Sequence, residues 1–353
     1  MENLKIIKTQ QPKIKNLTDL GFGKIFTDHM FVMDYTEDKG WHDPRIVPYG
    51  SLSVDPSASV LHYGQGVFEG LKAYRNKEGE IQLFRPEANF ARLNRSAEKL
   101  CIPQFDEELA LKYLKALLKM EKDWVPSEPE TSLYIRPYII ATEAFLGVNP
   151  SQNYKFIIIL SPVGAYYPEG FKPVKIMVEE KYVRAVRGGL GEAKTMANYA
   201  ASLLAGEEAN KKGFSQVLWL DGINQKYVEE VGTMNIFFKI DGEVITPPLL
   251  GSILPGITRD SVIKILKSWN IPVKEERISI DEVFQAYKNG KLEEVFGTGT
   301  AAVISPVSEL VYKGETALVD NYDDESLVTK LYNYLLGIQY GTEEDQFNWV
   351  QKL

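Results

Sequence analysis

Apolar positions recur along this chain with two spacings, and each change of spacing marks an element boundary. Alternating apolar and polar residues fill FVMDYTEDKGW (31–41) and SVLHYGQGVFEGLKAYRNKEGEIQLF (59–84). Both read as strands, with Asn76 to Gly79 as a hairpin turn. The spacing then lengthens: Pro86 opens a helix in which Phe90, Leu93, Ala97 and Leu100 share one face. A second helix over DEELALKYLKALLKMEKDW (106–124) ends before Pro126. SLYIRPYIIAT (132–142) and YKFIIILSPV (154–163) are short and nearly all apolar, as buried strands are.

The densest punctuation is PVGAYYPEGFKP, where Pro162, Gly164, Pro168, Gly170 and Pro173 fall close together. It predicts a domain at 1–164, an interdomain loop at 165–174 and a second domain at 175–353. Beyond the loop the pattern predicts a strand KIMVEEKYVR, an amphipathic helix ending at Gly213, and strands QVLWL, KYVEEV, MNIFFKI and EVITPP joined by Asp-Gly turns at Asp221 and Asp241. Ser279 with Glu282 forms a capping box for a helix that stops at Gly290. Both halves mix helices with mainly antiparallel strands, so the expected class is α+β, two domains with a cleft between them.

At 353 residues each domain can bury its own core, and 44% hydrophobic with 25% charged residues is ordinary for a soluble globular chain. The net charge of -8 without a Lys/Arg-rich block argues against nucleic acid as a partner. Cys101 is the only cysteine and His29, His42 and His62 are scattered, so no intrachain disulfide and no metal site is expected. The start lacks an apolar core of signal-peptide length and no run approaches a membrane span. The expectation is a cytoplasmic protein without membrane contact.

The candidate chemistry centres on Lys194, within GGLGEAKTMANY (188–199). Gly188 to Thr195 is one substitution short of a phosphate-binding P-loop, and Asp221 at the end of VLWLD could imitate a magnesium ligand. Ala193 occupies the position where a P-loop needs glycine, and KYVRAVRGG is too charged for the buried strand that feeds such a loop. The other chemistry for such a lysine is carbonyl trapping, and a pyridoxal phosphate site needs four parts: an amine, a carboxylate for the pyridine nitrogen, a donor to the phenolate oxygen and an anion cup. Lys194 offers the amine, with glycines 188, 189 and 191 expected to let backbone approach a flat ring. Glu230 offers the carboxylate, since it shares a strand face with Val228 while Glu229 points the other way. Two anion cups follow: Pro255-Gly256 leading into a helix that begins with Ile257 and Thr258, and the nest Gly297 to Thr300. Arg92 could add a cation for the same phosphate.

These residues sit in blocks that together resemble one family, the branched-chain amino acid aminotransferases of the fold-type-IV pyridoxal phosphate class. The blocks are LHYGQGVFEGLKA, LFRPEANFARLNRSA, TSLYIRP, LGV, SPVGAYY, GGLGEAKTMANY, QVLWLDG, EVGTMNIFF, TPPLLGSILPGITR and EVFGTGTAA, in order from about Asp28 to Gly341. The resemblance implies a small sandwich-like N-terminal domain, a larger pseudo-barrel C-terminal domain and a homodimer. It makes Lys194 the lysine that takes the cofactor aldehyde, Glu230 the pyridine partner and Tyr199 the donor to the phenolate oxygen, with Arg92, Ile257, Thr258 and Thr300 holding the phosphate. It places Tyr63, Phe68, Tyr134, Tyr166, Thr233 and Ala301 around an aliphatic side chain. Tyr63, Arg136 and the backbone at Thr300 and Ala301 would handle substrate carboxylates, and Leu146 and Val148 would reach in from a neighbouring subunit. The implied activity is ping-pong transamination of leucine, isoleucine and valine with 2-oxoglutarate, the alternative being a sister enzyme such as D-amino acid aminotransferase or aminodeoxychorismate lyase. Mammalian members carry a Cys-x-x-Cys pair where this chain has Ala302 to Ser305, so thiol switching is not expected.

Overall fold

The apolar run at 154–163 lies in the strand Asn153–Val163, whose two faces both meet apolar neighbours. Phe156 and Ile158 point into a core with Phe31, Leu71, Leu83, Leu133 and the helix residues Phe90, Leu93, Leu114 and Leu117. Ile157 and Ile159 point the opposite way, toward Met30, Val32, Ile140 and Met196. Strand periodicity therefore explains why no polar residue interrupts the segment: each fully buried Leu, Ile or Phe contributes about 1.5–3 kcal/mol.

The computed structural model describes residues 3–164, 171–319 and 322–353. The chain forms two compact units, the first comprising Met1–Pro168, Ala193–Met196 and Gly337–Leu353, the second Glu169–Glu192 and Ala197–Leu336. The first unit is a nine-stranded sheet in the order Lys5–Ile6, Gly40–Pro48, His29–Thr36, Asn153–Val163, Ser132–Ala141, Leu71–Arg75, Ile81–Phe84 and Val350–Lys352, with Gly66–Phe68 also paired to Ser132–Ala141. Helices Pro86–Lys99 and Glu107–Met120 supply its helical core residues, the first with proline in its opening turn and the second capped by Asp106, which accepts from the Leu109 amide.

The second unit is a ring of strands. Val228–Val231 pairs with both Gln216–Leu220 and Met234–Ile240, and the ring closes through Val174–Val178, Val303–Tyr312 and Leu292–Gly299. Closure leaves none of these six strands as an open edge, the barrel-like solution the resemblance implied. Ile176, Leu218, Ile236, Phe238, Val295 and Leu310 form its core together with Val283 and Phe284 of helix Ile280–Lys288. That helix has the full capping box, Ser279 Oγ accepting from the Glu282 amide and Glu282 from the Ser279 amide. The α+β class follows from these two sheets.

Several local expectations change. Within the stretch expected as the second domain, 175–353, Ala193–Met196 and Gly337–Leu353 group with the first unit. The C-terminal part is tied there by Gln82 Nε2, which donates to the carbonyls of Ile338 and Gln339, and by Tyr340, whose hydroxyl donates to the Thr131 carbonyl at 2.6 Å. The strand expected over KIMVEEKYVR stops at Val178, because Glu179 turns the chain by accepting from the amides of Lys181 and Tyr182. The helix Met196–Lys211 is not amphipathic within its unit: Asn198, Ala205 and Ala209 are buried while Leu203 and Leu204 are 70% and 55% exposed. Asp221 organises a longer loop rather than a two-residue turn, its carboxylate accepting from the amides of Ile223, Asn224, Lys226 and Tyr227. Asp241-Gly242 is the two-residue turn expected, both residues having positive φ.

Candidate active site

The site residues fall into two sets, one in each unit. In the first unit the Lys194 peptide is fixed on both sides: its amide donates to Ser96 Oγ at 2.9 Å and its carbonyl accepts from the Phe68 amide at 3.0 Å. Thr195 pairs with Val67 as an isolated antiparallel bridge, and its hydroxyl donates to the Gly66 carbonyl at 2.9 Å. With its backbone held this way, half-buried Lys194 projects an amine 5.1 Å from the Phe68 ring centroid. A fixed main chain anchors the base of the side chain and so limits the space its nitrogen can reach, which favours covalent or proton-transfer chemistry.

Close to that amine lies a pair the sequence did not reveal. Glu69 is fully buried and grips Arg92 through Oε1 to Nε at 2.6 Å and Oε2 to Nη2 at 2.9 Å, with Asn89 Nδ2 donating at 2.8 Å. Burial by itself would raise the Glu69 carboxyl, but Arg92, the charge of Lys194 and the Asn89 amide together hold it below the ordinary carboxylate value. Arg92 is thus a buried cation rather than a surface arginine.

Phe68, Tyr134 and Arg136 also come together. Arg136 Nη2 donates to the Tyr134 hydroxyl at 3.1 Å, and its guanidinium carbon lies 4.8 Å from the Phe68 centroid and 5.3 Å from that of Tyr134. An aromatic wall with one guanidinium beside it can hold an aliphatic chain or, at its cationic end, a carboxylate. Tyr63 ends the short helix Ser59–Tyr63 and donates to the Leu146 carbonyl. Leu146 and Val148 have side chains that are 62% and 80% exposed within their own unit. Tyr166 lies outside the described residues.

In the second unit Glu230, Tyr199 and Thr233 line one cavity with Arg184 and Asn198. Glu230 is 3% exposed; Oε1 accepts from the Leu254 amide at 2.8 Å and Oε2 lies 3.1 Å from Arg184 Nε. Arg184 also donates to the carbonyls of Gly191, at 3.0 Å, and Ser252. Nothing in the sequence sets Arg184 apart from the other charges of KYVRAVRGG. Asn198 donates to the Leu190 carbonyl at 2.8 Å and so ties the glycine loop to the helix.

The roles expected of the glycines shift. A Cβ on Gly191 would stand 2.1 Å from the Ser252 carbonyl, so glycine is required there for packing on a neighbouring loop, and Gly188 supplies a positive φ. The nest expected at Gly297 to Thr300 shrinks as well. Gly297, Thr298 and Gly299 are spent on ladder pairing with Ser305, Ile304 and Val303, which leaves half-buried Thr300 and Ala301 in the turn beyond. Helix Ile257–Ser268 starts at Gly256 without any side-chain cap, so its positive end, carrying Ile257 and Thr258, is suited to an anion.

Among the described residues no cluster of three or more metal-ligating side chains occurs, and no helix is long and apolar enough to cross a membrane. Each unit by itself offers donors that suit pyridoxal phosphate by their chemistry: the first an amine on a fixed peptide for the aldehyde, the second a buried carboxylate beside a tyrosine and an uncapped helix start for the ring and the phosphate.

Residues 66–310 match the amino-transferase class IV family, and the chain belongs to it. Along 350 residues it is 60% identical to branched-chain-amino-acid aminotransferase 2 of Bacillus subtilis (strain 168), spanning 99% of this chain and 96% of that protein. Among solved structures it is similar to the branched-chain amino acid aminotransferase of Escherichia coli, with a TM-score of 0.75 and 28% identity over 92% of this chain and 98% of that one. It is also similar to the enzyme of the archaeon Thermoproteus uzoniensis solved with norvaline, with a TM-score of 0.77 and 27% identity over 92% and 99% of the two chains.

Proposed function

We propose that the protein is a pyridoxal-phosphate-dependent branched-chain amino acid aminotransferase, exchanging the amino group of leucine, isoleucine or valine with 2-oxoglutarate. The geometric observation that carries the reading is Glu230, a buried carboxylate fixed by Arg184 and the Leu254 amide in a cavity it shares with Tyr199. A carboxylate so placed has a use if it faces a pyridine nitrogen and keeps it protonated. The relatives at 60% identity, named for branched-chain amino acids, favour these substrates over those of a sister class IV enzyme.

Bound pyridoxal phosphate supplies the aldehyde and the electron-withdrawing ring. Lys194 would offer the amine that holds the aldehyde and, as a neutral base, would move a proton away from the substrate α-carbon. Tyr199 would donate to the phenolate oxygen. Arg92, Ile257, Thr258 and Thr300 would hold the phosphate. Tyr63, Phe68, Tyr134, Tyr166, Thr233 and Ala301 surround the substrate side chain. Such a pocket separates one methylene by only ~1–3 kcal/mol, so broad aliphatic use follows. Arg136 pairs with the distal carboxylate of glutamate, which could not be buried unpaired.

We read the protein as a homodimer of the cytoplasm that serves amino-acid biosynthesis. Support for the dimer comes from Phe145, Leu146 and Val148, three apolar residues exposed within one loop. The test is the absorption spectrum of protein loaded with the cofactor. A yellow band that bleaches with L-leucine and returns with 2-oxoglutarate is the expected result. A yellow protein indifferent to leucine points to a sister enzyme, and one that stays colourless with pyridoxal phosphate overturns the role of Lys194.

A further inference from the structure

Glu229 and Glu230 are neighbours on one strand, and alternation sends their side chains to opposite faces. The second face does not open on solvent: Glu229 is only 9% exposed. Its Oε1 accepts from Ser252 Oγ at 2.5 Å, while Oε2 is buried without a hydrogen-bond partner among the described residues. An orphaned carboxylate oxygen in that position is costly and calls for a partner.

That carboxyl helps to line a cavity of about 90 Å³, bounded also by Arg187, Arg277, Asp221, Leu250 and Ile223. The space equals about three waters, enough for the charged head of one α-amino acid. Asp221 is engaged by the amides of its own loop and also lies 3.8 Å from Arg277 Nη2, which keeps that guanidinium near the cavity. Arg277 stacks on the Tyr227 ring with 3.6 Å to the centroid, which holds its guanidinium at the wall. Two guanidiniums face two acidic groups in a polarised cavity; burial pushes the Glu229 carboxyl above the ordinary carboxylate value, and a cation reaching Oε2 would favour its ionised form. A dipolar ligand carrying one ammonium and one carboxylate suits such a wall better than a simple anion or cation. The rim is apolar: Ile223 is 78% and Leu250 43% exposed beside Pro247 and Pro248.

We propose that this cavity is a second amino-acid site, separate from the one that contains Glu230, in which Glu229 Oε2 receives the ammonium of a free α-amino acid, Arg187 and Arg277 take its carboxylate, and Ile223 and Leu250 cover an aliphatic side chain. Ser252 connects the two sites. Its hydroxyl donates to Glu229 and its carbonyl accepts from Arg184, the ion-pair partner of Glu230. Occupancy of the outer cavity therefore bears on the loop that holds Glu230, which makes the site a means of sensing amino-acid supply. The proposal deepens the aminotransferase reading without depending on it for binding.

The test uses cofactor-loaded protein reduced with borohydride, so that Lys194 is blocked. A mass gain confirms the block and checks the aminotransferase reading by itself, since its absence would count against Lys194 and not against the outer cavity. L-valine and its 2-oxo acid are then titrated separately by calorimetry. The expected result is one L-valine site per chain that survives the block, that weakens about tenfold or more in Glu229→Gln, as loss of a charge-assisted hydrogen bond implies, and that the 2-oxo acid does not fill. Arg277→Ala should weaken L-valine in the same direction while leaving transamination measurable in unreduced enzyme. No binding to the blocked protein, binding indifferent to Glu229→Gln, or equal binding of the 2-oxo acid would each overturn the assignment. Ordered water alone at Glu229 in crystals grown with L-valine would overturn it as well.

Discussion

Glu69 and Arg92, 23 residues apart in sequence, meet as a buried two-contact ion pair at 2.6 and 2.9 Å next to the lysine that carries the proposed chemistry. Their closeness keeps a charged arginine inside the protein, and neither charge is tolerable there alone. In cofactor-free protein Glu69→Ala should cost about 3–5 kcal/mol of unfolding free energy, because it removes the carboxylate that grips buried Arg92. Urea titration reads this directly; an effect below about 1 kcal/mol would mean that Arg92 has a second adequate partner.

The same pair sets an acid limit. Glu69 titrates below its ordinary value of 4.5 in the folded state, so its stabilisation is fully present above that pH and is lost as pH falls toward and through the depressed folded value. Glu69→Gln removes that proton uptake. Its unfolding free energy should fall less steeply than that of the wild type below pH 4.5, and identical slopes would refute the assignment.

Lys72 acts with the opposite sign. Burial lowers its ammonium from 10.5 to about 8, so below pH 8 the fold bears the cost of a buried charge, and the cost disappears as pH rises toward 10.5. Lys72→Met, which keeps the stem and deletes the charge, should flatten the rise in stability between pH 8 and 10.5. Parallel curves for variant and wild type across that window would count against it.

For Lys194→Ala the expected outcome is loss of amino transfer by at least about 10²–10⁴-fold, the scale of a removed proton-transfer group. The variant should still fold, since the peptide contacts to Ser96 and Phe68 do not involve the side chain. Turnover near the wild-type level would take Lys194 out of the chemistry.

Arg136→Ala separates the two substrate classes. It should raise KM for glutamate about tenfold or more, the worth of a charge-assisted hydrogen bond, and alter KM for leucine far less. An equal rise for both would show that Arg136 shapes the pocket through Phe68 and Tyr134 rather than by pairing with a carboxylate.

Local signals in the chain decide local structure. Pro86 at a helix start, the Ser279–Glu282 capping box, the Asp241-Gly242 turn and the apolar run at 154–163 each act within a few residues, and each appears as read. Lys194 and Glu230 could be singled out in the same way, from a glycine-rich loop and from strand alternation. The sequence also carries, through ten ordered blocks, its kinship with class IV aminotransferases, a membership the family match bears out. Only the fold could decide which distant groups share a dielectric: that Glu69 neutralises Arg92, that Arg184 rather than any other charge in its segment meets Glu230, and that Glu229 faces a second cavity instead of water. It also decided that Ala193–Met196 and Gly337–Leu353 join the first unit. The reason is physical: capping, turns and periodicity are properties of neighbouring peptides, whereas the partner of a buried charge is fixed by how sheets close and loops cross, which no short window of residues contains.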